Sequence, residues 1–288
     1  MAEKTGRPPI IIIGMHRSGT SMVARMLEEL GLFVGKKKPR HYEAVFFLRL
    51  NEWLFRQSGG TWDHPEPMRD LLCHREARAL AVDHIRRTMN SPLVTTYLGW
   101  PNYLRYTTPQ KMDTHWGWKD PRSTYTLPLW LELFPEARII HVYRHGVDVA
   151  NSLKVREAKT TAGAKARHGK RKALYWFRPE QARFSSSLRC NDLNRAFELW
   201  FSYVAEAKAQ TSRLGNRAME LKYEDFLAEP YQSLTSLVRF CGLPEDEGAV
   251  ASISKTVKRE RAYAYQSNPE LRALAERYSA QLSRWGYG

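Results

Sequence analysis

The segment IIIIGMHRSGTSMVARML, residues 10–27, constrains the fold more than any other part of this chain. Four isoleucines stopped by Gly14 predict a short buried strand of a parallel sheet. Apolar residues then recur at helical spacing from Met22 to Leu30, so the glycine loop lies at a strand-to-helix turn. Such a turn points backbone N–H groups and the positive end of a helix dipole at one spot, which predicts an anion site.

The loop differs from a nucleoside-triphosphate P-loop at one position. Gly14 and Gly19 have the P-loop spacing, but Thr20 stands where the lysine belongs. In P-loop enzymes that lysine contacts the β- and γ-phosphates, and Mg²⁺ binds the final Ser/Thr. A ligand with a single 5′-phosphate therefore suits this loop better than a metal-bound triphosphate. The residues expected to bind the anion are His16, Arg17, Ser18, Gly19, Thr20 and Ser21.

Further strands and helices alternate along the chain. ARIIHVYR (137–144) predicts a second buried strand, HWGWKDPRS a short strand ended by Pro121, and AMELKYEDF a strand that includes Tyr223. Helices are predicted at about 43–57, 70–89, 145–156, 194–208 and 230–241, and from Asn268 to the C-terminus. This order predicts an α/β three-layer sandwich with a mainly parallel central sheet. Ligands bind at the carboxyl ends of such strands, where Lys119 and Arg144 fall.

Positive charge is concentrated in one segment. The net charge is +15, and residues 154–189 contain eleven Lys/Arg against two Glu. We expect one domain over 1–288, with a basic segment at about 154–190 that is either a mobile solvated loop or a lid over an anionic ligand. Helix-turn-helix, zinc and RNA-binding motifs are absent from the sequence, so nucleic acid is not an expected partner.

The cysteines and the apolar runs bear on location. Cys73, Cys190 and Cys241 are widely spaced and form no C-x-x-C pair, which favours a reduced, cytoplasmic protein. The apolar run at 10–13 is too short for a signal-peptide core or a membrane span.

Four motifs resemble those of sulfotransferases that use 3′-phosphoadenosine 5′-phosphosulfate (PAPS). GMHRSGTS resembles their 5′-phosphosulfate loop, and YRHGVDVANS, with Arg144 and Ser152, resembles their 3′-phosphate motif. WKDPR (118–122) is similar to the Lys-Asp-Pro segment of bacterial and tyrosylprotein-type members, and YEDF (223–226) to a signature that we interpret as structural. The resemblance implies PAPS as donor and no required metal.

The resemblance also implies roles for individual residues. Arg17 and Lys119 would stabilise the leaving phosphate, and Glu43 would be the general base that deprotonates the acceptor. A helix N-terminal residue held by the dipole is the plainer interpretation of Glu43. His16 is the second candidate for the base, followed by His41 and His115. Arg156 lies one helical turn beyond Ser152, and together with Lys258 it is expected to bind the 3′-phosphate.

The sequence leaves the acceptor open. A hydroxyl or amine of a glycan, lipid head group or small metabolite, anionic or not, fits as the acceptor. A homodimer is also compatible with the sequence. Two alternatives stay open: an Mg-ATP-dependent P-loop phosphotransferase, and a basic module that binds nucleic acid or an anionic surface.

Overall fold

The computed structural model describes residues 6–39, 41–171 and 185–287. The strands are β1 (Ile10–Ile13), β2 (Gly117–Lys119), β3 (Arg138–Tyr143) and β4 (Ala218–Lys222). The helices before β3 are α1 (Thr20–Glu29), α2 (Val45–Gln57), α3 (Met68–Cys73), α4 (Arg75–Met89), α5 (Thr95–Leu98), α6 (Trp100–Tyr106) and α7 (Ser123–Leu133). Those after β3 are α8 (Gly146–Arg171), α9 (Leu193–Thr211), α10 (Tyr223–Ala228), α11 (Pro230–Cys241), α12 (Glu247–Ser254), α13 (Pro269–Arg277) and α14 (Ser279–Ser283).

The four strands form one sheet in the order β2-β1-β3-β4, and every neighbouring pair is parallel. Ile12 pairs with Lys119 on one side of β1, and Ile13 pairs with His141 on the other. The chain runs from β1 to β2 in one direction and then returns past β1 to β3. The carboxyl ends of β1 and β3 therefore form the switch point at which ligands bind in such sheets.

Helices cover both faces of the sheet. On one face, Ile12 and Val142 pack in a single buried cluster with Leu27 of α1 and Leu237 of α11. On the other, the indole of Trp118 stacks on Phe47 of α2, with ring centroids 4.0 Å apart, and contacts Trp130 of α7. The predicted α/β three-layer sandwich is confirmed.

Three predicted elements differ in detail, and one of them is the helix predicted at 70–89, which is divided at His74 into α3 and α4. β4 ends at Lys222, and Tyr223 begins α10 instead of continuing the strand. Pairing with β3 stops at Tyr143–Lys222, and the acidic residues Glu224 and Asp225 favour a helix start because they face the positive end of its dipole. The predicted C-terminal helix is divided at Tyr278 into α13 and α14.

The chain divides into two compact units, described separately here. The first comprises residues up to Arg144 together with Tyr203–Ala262, and it contains the whole sheet. The second comprises His145–Ser202 and the residues from Tyr263 on. In the second unit, Phe197 of α9 stacks on Tyr278, with ring centroids 4.1 Å apart. A single functional domain over 1–288 stays a prediction.

The basic segment is only partly as expected. Residues 154–171 belong to α8 and are not a loop. Lys, Arg, Ala and Glu dominate this stretch and all favour helices, which explains why it is helical. Glu157 is buried and accepts hydrogen bonds from the backbone N–H groups of Ser186 and Ser187. The remaining predicted lid, 172–184, lies outside the described residues.

Candidate active site

The glycine loop joins β1 to α1 at the predicted position. Gly14 has a φ of 130°, and a Cβ there would lie 2.1 Å from the carbonyl oxygen of Val142 on β3. Only glycine permits this approach between the loop and the neighbouring strand. The Gly14 N–H donates to the hydroxyl of Thr124, at 3.1 Å, which fixes the first peptide of the loop.

Two further residues of the loop have left-handed backbone conformations. Arg17 has a φ of 73° and Gly19 a φ of 98°. A non-glycine residue in this region is uncommon and costs of order 1–3 kcal/mol unless its surroundings enforce it, and such residues concentrate at functional sites. Left-handed residues within a turn also point successive N–H groups into one concavity, which is a binding place for anions.

The hydroxyls of the loop have different surroundings. Ser21 donates to the carbonyl oxygen of His41, at 2.8 Å. Ser18 is fully buried, and its hydroxyl has no hydrogen-bond partner within 6–39, 41–171 and 185–287. A buried hydroxyl without a partner is costly, and its presence points to a ligand oxygen as its natural partner.

Arginines of three separate segments converge beside the loop. Arg144, directly after β3, lies over the ring of Tyr223, with its guanidinium 5.0 Å from the centroid, and donates to the carbonyl oxygen of Arg261. The ring of Tyr223 also lies against Gly19, where an added Cβ would be 2.5 Å away. Burial lowers the pKa of Arg17, and the positive charges of Arg144 and Arg261 lower it further. Positive charge is therefore concentrated next to the loop.

Lys119 and Glu43 form a buried ion pair. The ammonium of Lys119, which is 1% exposed, donates to Glu43 Oε1 at 2.9 Å. The second carboxylate oxygen of Glu43 lies 3.9 Å from the guanidinium of Arg122. Burial lowers the pKa of Lys119 although Glu43 and Asp120 act to raise it. The residues predicted as base and as leaving-group donor are thus direct partners.

Polar contacts of Asp120 and Arg122 hold this pair in place. Asp120 is fully buried, and its two carboxylate oxygens accept from the Arg122 backbone N–H at 2.9 Å and from the Asn51 amide at 2.8 Å. Burial raises the pKa of Asp120. Arg122 also contacts Glu52, at 3.4 Å. Asn51 and Glu52 both belong to α2, so the network ties α2 to the end of β2.

The histidines considered as bases have distinct positions. The ring of His16 packs edge-on against Trp62, with centroids 4.8 Å apart. His41 accepts the Ser21 hydrogen bond through its backbone carbonyl. His115 precedes β2 and contacts Arg7, at the edge of the sheet opposite to the carboxyl ends. That location disfavours His115 as the base.

The remaining predicted residues lie elsewhere on the chain. Ser152 and Arg156 belong to α8 in the second unit, one helical turn apart. Lys258 belongs to the first unit, is exposed and directly precedes the short turn Arg259–Arg261. In the same basic segment, it is Arg261 whose positive charge acts to lower the pKa of Arg17 and of Tyr223. Lys258 was predicted from the sequence, and Arg261 was missed. Arg122 was also missed, although it ends the WKDPR motif.

Two kinds of feature are absent from the described part of the chain. Within it, no group of three or more His, Cys, Asp or Glu side chains is arranged to hold a metal ion. None of its helices combines the length and the apolar character needed to cross a bilayer.

Comparison with known proteins identifies relatives of this chain. The model of the family described as "Sulfotransferase family" matches residues 8–247. No curated protein matches the chain. Among solved structures, the sulfotransferase domain of the Synechococcus PCC 7002 olefin synthase is similar in fold: the TM-score is 0.51 and the identity 18%, over 97% of each chain. The sulfotransferase domain from the curacin biosynthetic pathway gives 0.51 and 17%, over 95% of this chain and 98% of that one.

Proposed function

This chain belongs to the sulfotransferase family, and we propose that it transfers a sulfuryl group from PAPS to a hydroxyl or amine of an acceptor. The observation that carries the donor assignment is the convergence of Arg17, Arg144 and Arg261 at the glycine loop. Burial lowers the pKa of Arg17, and repulsion from the two other cations lowers it further; a bound phosphate or sulfonate would relieve that repulsion.

The residues at the loop fit this ligand. The N–H groups of the left-handed turn and the hydroxyl of Ser18 are donors for the 5′-phosphosulfate oxygens. Arg144 follows β3 and is proposed to bind the 3′-phosphate, with Arg261 as a further donor. Ser152, Arg156 and Lys258 remain proposed contacts to the same phosphate.

The ion pair gives a reason to prefer PAPS to Mg-ATP. Two lysines belong to the described sheet, Lys119 on β2 and Lys222 on β4, and the ammonium of Lys119, on the strand next to β1, is directed to Glu43. In a triphosphate P-loop, the lysine instead contacts the β- and γ-phosphates. A donor with a single 5′-phosphate needs no such lysine.

The reaction moves SO₃ from the bridging oxygen of the donor to the acceptor oxygen or nitrogen, and the acceptor loses one proton. We propose that Glu43 takes this proton, with an expected contribution of about 10²–10⁴-fold. Lys119 and Arg122 hold the Glu43 carboxylate in place. Arg17 supplies positive charge for the leaving phosphate oxygen, a type of stabilisation typically worth about 3 kcal/mol per donor. Lys119 stays a proposed second donor, although its ammonium is directed to Glu43 in the ligand-free protein. His16 is the alternative base.

The acceptor is proposed only by class: a glycan, a lipid head group or a small metabolite. The cytoplasm of a bacterium is the proposed location, because the three cysteines are free thiols. Both units are proposed to act as one functional domain, since the family match extends through α8 and α9.

The donor assignment is tested by calorimetric titration of the full chain with adenosine 3′,5′-bisphosphate and, separately, with Mg-ATP. We expect binding of the bisphosphate without added metal and weak or absent binding of Mg-ATP. Arg144→Ala should weaken bisphosphate binding at least tenfold, because it removes a charge-assisted contact. The matched control is Arg25→Ala on α1, an exposed arginine whose guanidinium lies 3.8 Å from Glu29, and this change should leave binding unchanged. Absence of heat with the bisphosphate would overturn the proposal.

The base assignment is tested on the same protein. Glu43→Gln keeps the shape of the side chain and should retain bisphosphate binding. The rate at which this variant releases bisphosphate from PAPS, with a panel of phenols, alcohols and amines as acceptors, should fall by about 10²-fold or more. Full activity of Glu43→Gln would remove Glu43 from the mechanism, and loss of activity in His16→Asn would then favour His16.

A further inference from the structure

The first unit exposes an apolar surface on a helix. Trp100, Tyr103 and Leu104 stand at i, i+3 and i+4 of α6 and so share one helical face. Trp100 is 66% exposed and Leu104 77% exposed, and α6 has no buried residue. Helices of globular proteins normally turn such a face toward the core, so its exposure indicates a binding surface.

Residues with left-handed φ values lie at both ends of this helix. Gly99, with a φ of 74°, begins α6, and Thr107, with a φ of 60°, ends it. The preceding helix α5 is anchored, because the Tyr97 hydroxyl donates to the carbonyl oxygen of Gly117 on β2 at 2.7 Å. Leu93, 64% exposed, lies in the turn just before α5. The exposed Trp100 and Leu104 therefore stand on a helix that directly follows an anchored one.

Basic residues flank the apolar face. The side chain of Lys36 lies against Gly99, where an added Cβ would be 3.2 Å from its Cγ, and Lys37 is the next exposed residue. Arg105 lies on α6, with its guanidinium 4.9 Å from the ring of Tyr106. Asp113 offsets part of this charge by pairing with Arg105 at 3.5 Å. We define the α6 surface as Leu93, Trp100, Tyr103 and Leu104 with the flanking Lys36, Lys37 and Arg105.

We propose that the α6 surface docks the protein onto an anionic lipid bilayer. Tryptophan and tyrosine suit the boundary between head groups and acyl chains, because their rings are apolar with a polar edge. Leucine inserts beside them, and lysines flanking the helix attract anionic head groups. A second copy is the less suitable occupant, since two basic surfaces repel each other. The chain's net charge of +15 likewise opposes the association of two copies and favours an anionic partner.

The α6 surface is linked through the backbone to the segment that carries the proposed base. The carbonyl oxygen of Lys37 accepts a hydrogen bond from the N–H of Val45, at 3.0 Å, and Val45 lies two residues after Glu43. The segment that carries the flanking lysines is therefore tied to the start of α2. This consequence rests on the proposed function and favours an acceptor borne by the lipid surface; the docking itself does not depend on the proposed function.

The experiment is vesicle flotation of the full chain. The probes are phosphatidylcholine vesicles with and without about 30% phosphatidylglycerol, at about 0.15 M and about 0.5 M salt. We expect binding to the anionic vesicles, weakened by salt. Trp100→Ala with Leu104→Ala should lower the vesicle affinity at least tenfold. Lys36→Glu with Lys37→Glu should lower it by about 25-fold or more, since each of the two basic residues near a bilayer surface contributes about fivefold.

A matched control separates this surface from general stickiness. Leu80 on α4 is 72% exposed and lies outside the α6 surface, so Leu80→Ala should float as the unchanged protein does. The proposal is overturned if the protein fails to float, or if the α6 variants float unchanged. It is also overturned if those variants only abolish a dimer seen by sedimentation velocity. Bisphosphate titration of each variant separates a failure of docking from a failure of the proposed function.

Discussion

The hydroxyl of Ser18 gives a prediction in which stability and ligand binding change in opposite directions. It is fully buried, and within the described ranges it has no hydrogen-bond partner. Leaving a buried hydroxyl unpaired costs roughly 1–3 kcal/mol. Ser18→Ala removes that cost and should raise the free energy of unfolding of the ligand-free protein by about 1 kcal/mol. For a chain of this size, the thermal midpoint should rise by about 2 °C.

The same substitution should weaken ligand binding. If the Ser18 hydroxyl donates to a phosphate oxygen, the lost hydrogen bond is one to a charged group and is worth about 1.5–3 kcal/mol. The affinity for adenosine 3′,5′-bisphosphate should then fall by about 10- to 100-fold. Thermal unfolding with and without bisphosphate, together with calorimetric titration, measures both effects.

A neighbouring serine is the matched control. Ser21 already donates to the carbonyl oxygen of His41, at 2.8 Å, so Ser21→Ala should destabilise the ligand-free protein by about 1 kcal/mol. If Ser18→Ala lowers stability as Ser21→Ala does, the hydroxyl has a partner within the protein. If it leaves bisphosphate affinity unchanged, the hydroxyl does not face the ligand. Either result refutes the reasoning.

Three further predictions follow from other contacts. Gly14→Ala should destabilise the protein by more than about 3 kcal/mol in urea unfolding, because its φ of 130° and the nearby carbonyl of β3 exclude a Cβ. Lys119→Met should lower the free energy of unfolding by about 3–5 kcal/mol, because it leaves Glu43 without its ammonium partner. The double variant with Glu43→Gln should lose less stability than the sum of the two single variants. Strict additivity would contradict the ion pair. Glu220 is desolvated, yet its contacts with His141 and Lys208 hold its pKa at about 2, below the ordinary 4.5. Its stabilising contribution is present above pH 4.5 and is lost as the pH falls toward about 2, so Glu220→Gln should flatten the pH dependence of urea unfolding in that window, and an unchanged slope would contradict the contact.

Local patterns predicted most of the fold. The isoleucines of β1 and the β-branched run of β3 identify buried strands because only a sheet covered on both faces accommodates continuous apolar runs. Gly242 has a left-handed φ of 68° just past α11, as its position after the apolar repeat indicates. Predictions failed where two signals competed. Tyr223 continues an alternating pattern, but the acidic residues after it favour a helix. In 154–171, high charge suggested a loop, whereas the helix propensity of the same residues prevailed.

The site was less accessible to sequence reasoning. Glu43 and Lys119 were both named, but no spacing rule relates residues 76 positions apart, so their pairing could not be read from the chain. Arg261 belongs to a basic segment in which the sequence gives no reason to prefer one Lys or Arg over another as a contact of the loop. Only the path of the backbone selects which of them lies beside Arg17 and Tyr223.

The sequence by itself determined the alternation of strands and helices, the glycine loop that requires left-handed residues, and the family motifs. These are properties of adjacent residues, because backbone conformation and periodic burial act over a few positions. The tertiary structure decided the strand order, which places β2 and β3 on either side of β1. It also decided that Lys119 is buried against Glu43 and that Trp100 and Leu104 face solvent. Charge pairing and burial depend on distances in space, and these are fixed only when distant segments pack.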